Sequence, residues 1–148
     1  MANGPSDQSR AESSASSEIR IANRISEIAR VAELVDSFGA SYELPNKVIV
    51  ALNVSLDEIL NNIISYAYED GGHHDIMVRL ELRCGNVEVV VEDDGKPFNP
   101  LLVPPPKLTG KPRVGGVGLH FVRNLTDQLD YARHEGINQL RFMKKVAE

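Results

Sequence analysis

The chain has 148 residues and a formal net charge of −5, with 42% hydrophobic and 25% charged residues, the balance of one ordinary globular domain. An acidic balance argues against non-specific nucleic-acid binding, which needs cations to displace counterions from phosphates. The single cysteine, Cys84, excludes an intramolecular disulfide; no apolar run approaches the roughly 20 residues of a membrane span, and no basic-then-apolar leader opens the chain, so the sequence reads as cytoplasmic with no membrane partner.

Residues 1–17 are rich in Ser, Ala, Asn and Asp and almost free of large apolar side chains. Such a segment cannot bury enough surface to offset its ordering entropy, so it reads as a flexible tail ahead of one domain at 18–148. Residues 18–21 suit a short strand. Asn23 or Ser26 reads as a helix cap, and Ile25, Ile28, Ala29, Ala32 and Val35 recur at helical spacing over 24–38, with Gly39 as the stop. Pro45 opens a second helix whose Leu52, Leu56, Ile59 and Ile63 share one face, and Gly71-Gly72 closes that region. Two alternating runs follow, Ile76 to Leu82 and Val87 to Val91, with Gly85-Asn86 as the turn of an antiparallel hairpin. Residues 96–116 form a loop rich in Pro, Gly and basic residues, too long for a plain connection. A helix is expected over 118–125, then a hairpin of 129–133 and 139–144 turning at 135–138. Strand, helix, helix, hairpin, loop, helix, hairpin is the order of an α+β two-layer sandwich: a mixed, mostly antiparallel sheet covered on one face by helices.

Three groups of residues carry chemistry. Glu58 and Asn62 lie four apart on the second helix and so share a face one turn apart. A carboxylate beside an amide oxygen can hold a hard cation with waters, or polarise an attacking hydroxyl; the same pair is also ordinary surface decoration. In Val91-Glu92-Asp93-Asp94-Gly95 a strand ends in acids and a glycine. That suits a turn, and equally a carboxylate accepting from an exocyclic amine, with Gly95 admitting a flat ring. Gly115-Gly116-Val117-Gly118 enters a helix, where exposed N–H groups and the helix dipole cradle phosphate. It is no Walker loop, because Pro112 follows Gly110-Lys111 where Ser or Thr is required, and no parallel βαβ unit surrounds it as a Rossmann turn demands.

Taken together, the three resemble the nucleotide boxes of the Bergerat-fold (histidine kinase-like, GHKL) ATPases. Leu56 to Asn62 is similar to the N box. Val91 to Pro100 resembles the G1 box, in the D-x-G-x-P-F form of small anti-sigma factors, and Gly115 to Arg123 resembles the G2 box. Asp127, Tyr131 and Asn138-Gln139-Leu140 match the usual close of the RsbW-like branch, the anti-sigma factors that are also serine-protein kinases.

The resemblance implies ATP and Mg²⁺ as cofactors. It makes Asn62 the Mg²⁺ ligand, Glu58 the general base and Asp93 the acceptor of the adenine amino group, chosen over Asp94 by the D-x-G register and with Gly95 beside the ring. Gly115, Gly116 and Gly118 would line the triphosphate, and 96–114 would be a lid whose Arg113, with Lys107 or Lys111, faces phosphate oxygens. It implies phosphoryl transfer to a serine on a STAS-domain anti-anti-sigma factor, a sigma factor as second partner, and a homodimer. The alternative is an ATP-dependent binding switch of the same fold without kinase activity. Against a detached histidine-kinase catalytic domain, none of His73, His74, His120 and His134 falls on a helical hairpin. The chain departs from the branch in three places: Tyr66 stands where a His is common, Arg141 stands where a Thr is frequent on the adenine side, and the lid contains Pro104-Pro105-Pro106.

Overall fold

A computed structural model describes residues 15–99 and 116–147. Most of the segment read as a tail (1–14) and of the lid (100–115), with Lys107, Lys111, Arg113 and Gly115, lies outside the described residues. Along the chain run β1 (Ser16–Ala22), a 3₁₀ turn (Ile25–Glu27), α1 (Ile28–Ser41), α2 (Asn46–Tyr66), β2 (Asp75–Arg83), β3 (Asn86–Asp93), α3 (Gly116–Leu125), β4 (Gln128–His134) and β5 (Ile137–Lys145). The strands form a single sheet in the order β1-β2-β3-β5-β4, and every neighbouring pair is antiparallel. The first strand begins at Ser16, two residues inside the segment read as a tail.

Strand alternation puts Ile76, Val78 and Leu80 of β2 and Val87, Val89 and Val91 of β3 on the helix-covered face, where all are buried. Leu52, Leu56 and Ile59 of α2 pack into the same core. By length and composition alone α2 passes as a membrane-crossing helix; its buried face in the core accounts for part of that apolar content, while Val50 and Val54 are exposed. The other face of the sheet is polar. Glu18, Arg79, Val90, Arg141 and Asp130 form one row across all five strands. Val90 is nonetheless buried, flanked by the aliphatic stems of two arginines.

Several local expectations shift for identifiable reasons. Gly39 does not stop α1, which runs on to Ser41. A Cβ at Gly39 would lie 2.6 Å from Ile49 Cδ1, so this glycine lets α1 and α2 approach. The stop is a Schellman turn: Leu44 N–H donates to the Gly39 carbonyl and Glu43 N–H to the Ala40 carbonyl, with Glu43 left-handed at φ 51. Neither Asn23 nor Ser26 caps a helix. Asn23 instead ties β1 to the loop before β2, donating to the Gly72 carbonyl and accepting from His74 N–H.

The first hairpin turns one residue before the expected Gly85-Asn86, and the second turns within the expected 135–138, at its first two residues. The first has Cys84 and Gly85 at its centre, both with positive φ (53 and 77), and Arg83 pairs with Asn86. The second has Glu135 and Gly136 in the same state (52 and 81), and His134 pairs with Ile137. These are two-residue type I′ turns, whose backbone twist matches the strands. A cysteine is a poor left-handed residue and an asparagine a good one. Cys84 is exposed, so Cys84→Asn loses no packing. It is expected to raise stability by roughly 0.5–1 kcal/mol, a thermal midpoint about 2–4 °C higher by scanning calorimetry.

Candidate functional site

A cleft opens between α2, the end of β3, α3 and β5, lined among others by Asn62, Tyr66, Asp93, Lys96, Leu119 and Asn138. Two of the three groups singled out in the sequence send a side chain into it, Asn62 from α2 and Asp93 from β3. The third reaches it through Leu119, because Gly116 and Gly118 form the first turn of α3.

In the cleft wall, Asn62 is buried and its amide nitrogen donates to Glu58 Oε2 at 2.6 Å and to the Glu58 carbonyl at 2.7 Å. That commits the nitrogen and leaves the amide oxygen to meet a ligand. The same contact leaves Glu58 Oε1 as the carboxylate oxygen available to a proton. Among the described residues, no group of three or more His, Cys, Asp or Glu is placed to hold a metal. A cation at Asn62 would therefore take most of its ligands from phosphate and water, a donor set that fits Mg²⁺.

Asp93, which lines the same cleft, is 6% exposed. Its Oδ1 accepts from Gly95 N–H at 2.9 Å and from the Asn138 amide at 3.0 Å, which leaves Oδ2 for a ligand. Burial pushes this carboxyl above its ordinary value, the two hydrogen bonds and Arg133 pull it down, and neighbouring Asp94 pushes it up. Gly95 presses against the end of α2: a Cβ there would lie 2.5 Å from Ala67 Cβ and 2.7 Å from its carbonyl. The close approach that Gly95 permits in the structure is thus to Ala67, whose carbonyl accepts from Lys96 N–H.

Asn138 lines the cleft, although in the sequence it has a place in the family resemblance and no role at the site. Placing the final turn at 135–138 took it out of the strand; with the turn at Glu135-Gly136 it is the second residue of β5 and sits opposite Asp93. Gly136 is the turn signal there, and turn preferences do not lead one to pair it with a left-handed Glu135. The same register corrects Arg141, which is exposed on the sheet face away from the helices. On β5 the side chains reaching the cleft are Asn138 and Leu140.

Residues 21–144 match the family model for the histidine kinase-like ATPase domain. The chain belongs to that family. An ATPase domain implies ATP as ligand. The serine/threonine-protein kinase BtrW of Bordetella bronchiseptica is 34% identical over 94 residues, 60% of this chain and 65% of that kinase. The chain therefore spans just under two thirds of that relative. Among solved structures, the RsbU and RsbW domains of Rv1364c from Mycobacterium tuberculosis superpose with a TM-score of 0.65 over 88% of this chain and 32% of that one, at 16% identity. The histidine kinase domain from Erythrobacter litoralis EL346 blue-light activated histidine kinase gives 0.53 over 82% and 60%, also at 16% identity. Both likenesses are of fold.

Beside Asp93, His74 clamps two loops. Its Nε2 meets the Asp70 carboxylate at 2.9 Å and its Nδ1 meets Asp94 at 3.1 Å, while the ring stacks on Tyr68 with centroids 4.4 Å apart. The Asp70 hydrogen bond, with Asp94 behind it, raises the imidazole above its ordinary value against a smaller desolvation effect. Asp70 is lowered, first by the Gly72 N–H and then by His74. A raised histidine adds stability that is fully present below its unfolded value and is lost as pH rises through its folded value; Asp70's share is lost only as pH falls through its lowered value. Thermal melts should show His74→Gln costing more near pH ~5.5 than near pH ~8.5. An equal cost at both would mean that the clamp carries no charge.

Proposed function

We propose that this chain is a cytoplasmic, ATP-dependent serine kinase and anti-sigma regulator that phosphorylates a STAS-domain anti-anti-sigma factor, itself held by a homodimer that also binds a sigma factor. The observation that carries the reading is one cleft lined by both Asn62 and Asp93, with a glutamate hydrogen-bonded to that asparagine. A nucleotide needs a base-recognising acceptor and a phosphate-side cation site in one pocket, and this cleft offers a candidate for each. The named activity of BtrW and the RsbW domain among the fold neighbours support the choice of branch.

In this reading Asp93 Oδ2 accepts the adenine 6-amino hydrogen, and Gly95 lets the strand end turn under Ala67 so that Asp93 faces the cleft. The Asn62 amide oxygen would hold Mg²⁺, which would supply charge neutralisation and orientation of the phosphates. Gly115, Gly116 and Gly118 at the entry of α3 offer N–H groups to the phosphates, and Arg113 faces them from the lid. Glu58 accepts the proton of the incoming serine hydroxyl. Because phosphoryl transfer is mainly positioning and charge stabilisation, these groups suffice.

The test is to incubate the chain with Mg²⁺ and ATP labelled at the γ-phosphate, together with STAS-domain proteins encoded in the same genome, and to map any phosphoserine by mass spectrometry. Label on a conserved-fold STAS partner is expected. Nucleotide binding without transfer to any of them would leave the non-catalytic binding switch as the function.

A further inference from the structure

One row of side chains runs across the sheet to Asp93. Arg133 of β4, Asn138 of β5 and Asp93 of β3 are consecutive partners, and Asn138 is buried at 4% exposure. The Asn138 amide nitrogen has three acceptors in front of it: Asp93 Oδ1 at 3.0 Å, the Lys96 carbonyl at 2.9 Å and the Gly95 carbonyl at 3.3 Å. Its amide oxygen has two donors behind it, the Tyr131 hydroxyl and the Arg133 guanidinium at 2.9 Å. The same Arg133 nitrogen also donates to the Gly95 carbonyl at 3.0 Å.

An asparagine amide has two orientations of nearly equal shape, and only its neighbours decide between them. Turned over, this amide would set its oxygen against a carboxylate and two carbonyls, and its nitrogen against a cation. The guanidinium and the hydroxyl therefore lock the amide with its donors towards Asp93. The lock has a chemical consequence at Oδ2. A carboxylate there accepts, which suits a purine carrying a 6-amino group; a protonated carboxyl donates, which suits a purine carrying a 6-oxo group.

We propose that Arg133, with Tyr131 beside it, is a positioning residue for base selectivity: acting through Asn138, it holds Asp93 as an ionised acceptor, so that the cleft takes 6-amino and rejects 6-oxo purine nucleotides. This rests on the reading of the cleft as a nucleotide site. The charged and titratable groups around Asp93 are Asp94 next to it, Tyr68 in the loop after α2, His74 and Asp75 at the entry of β2, Lys96 on the cleft wall and Arg133 on β4. His74 is bonded to Asp94, so its own titration is measured in His74→Gln alongside; Glu92 points to the opposite face of the sheet. Arg133 and the Asn138 hydrogen bond both lower the Asp93 carboxyl, against burial and Asp94. Removing Arg133 weakens both lowering effects together, so Asp93 takes its proton at higher pH.

The experiment titrates ADP and inosine diphosphate into the full chain with Mg²⁺, by calorimetry, from about pH 5 to about pH 8.5. The parent is expected to prefer ADP, and to lose that preference as pH falls. In Arg133→Met the preference shrinks about tenfold or more at neutral pH, and the pH at which ADP binding weakens moves upward. Arg133→Lys, which keeps a donor and the charge, restores most of both. A merely structural role would move neither the base preference nor the pH profile. If Arg133→Met does not fold, Tyr131→Phe decides: a reduced preference supports the lock, and an unchanged one overturns it. A parent that prefers ADP, paired with an Arg133→Met that keeps the full preference and pH profile, overturns this proposal alone. A parent that binds neither nucleotide overturns the nucleotide reading and this proposal with it.

Discussion

Glu58→Gln is expected to lower phosphoryl transfer to the STAS partner by roughly 10²–10⁴-fold, the usual contribution of a positioned general base, while nucleotide affinity changes by less than about threefold. The separation follows from the local geometry. Glu58 Oε2 accepts from the Asn62 amide at 2.6 Å, and the carbonyl oxygen of a glutamine accepts the same bond. Asn62 therefore stays oriented and the cation site survives, while the group that takes the serine proton is gone. Glu58→Ala is different: it removes the side-chain acceptor as well, leaves the Asn62 amide held by the Glu58 main-chain carbonyl alone, and should weaken the Mg²⁺ dependence of binding together with the rate. Single-turnover transfer and nucleotide titration on both variants distinguish these outcomes. Full transfer by Glu58→Gln would remove Glu58 from the role of base.

The parts of this site that sequence alone made legible are those set by short-range geometry. Glu58 and Asn62 meet because a helix repeats every 3.6 residues, and the apolar spacing of Leu52, Leu56, Ile59 and Ile63 announces that helix. Asp93 sits at a strand end because Val87, Val89 and Val91 alternate and Gly95 follows. What sequence did not reveal depends on register between distant strands. Asn138 reaches Asp93 only because the last hairpin turns at Glu135-Gly136, and a glutamate in a left-handed position is not what turn preferences suggest. Moving that turn by even one residue would flip every β5 side chain to the other face, and Arg141, set on the adenine side by resemblance alone, lies on the face away from the helices. Gly39 taught a similar lesson. A glycine near a helix end reads as a stop, but here contact with Ile49 on the next helix demands it.

Asp93→Asn is expected to weaken ADP binding by about a hundredfold, the loss of a buried hydrogen bond to a charged group, and to make the unliganded protein more stable rather than less. The two effects share one cause. Gly95 N–H and the Asn138 amide both donate to Oδ1, so an asparagine at 93 must keep its oxygen there and turn its NH₂ into the cleft. A donor then faces the adenine 6-amino donor, and inosine diphosphate, whose 6-oxo group accepts, should bind more tightly than ADP. For stability the sign is fixed by the raised carboxyl. A carboxylate whose folded value is raised binds more protons in the folded state, so the parent gains stability as pH falls through that folded value and bears the burial cost of the charge at neutral pH. The neutral amide does not bear that cost. Its melting temperature should exceed the parent's at neutral pH, and the difference should shrink as the buffer is made acidic. Calorimetric titration with both nucleotides, alongside thermal melts across pH, measures both halves. A variant that still prefers ADP would show that the base is read somewhere other than Asp93.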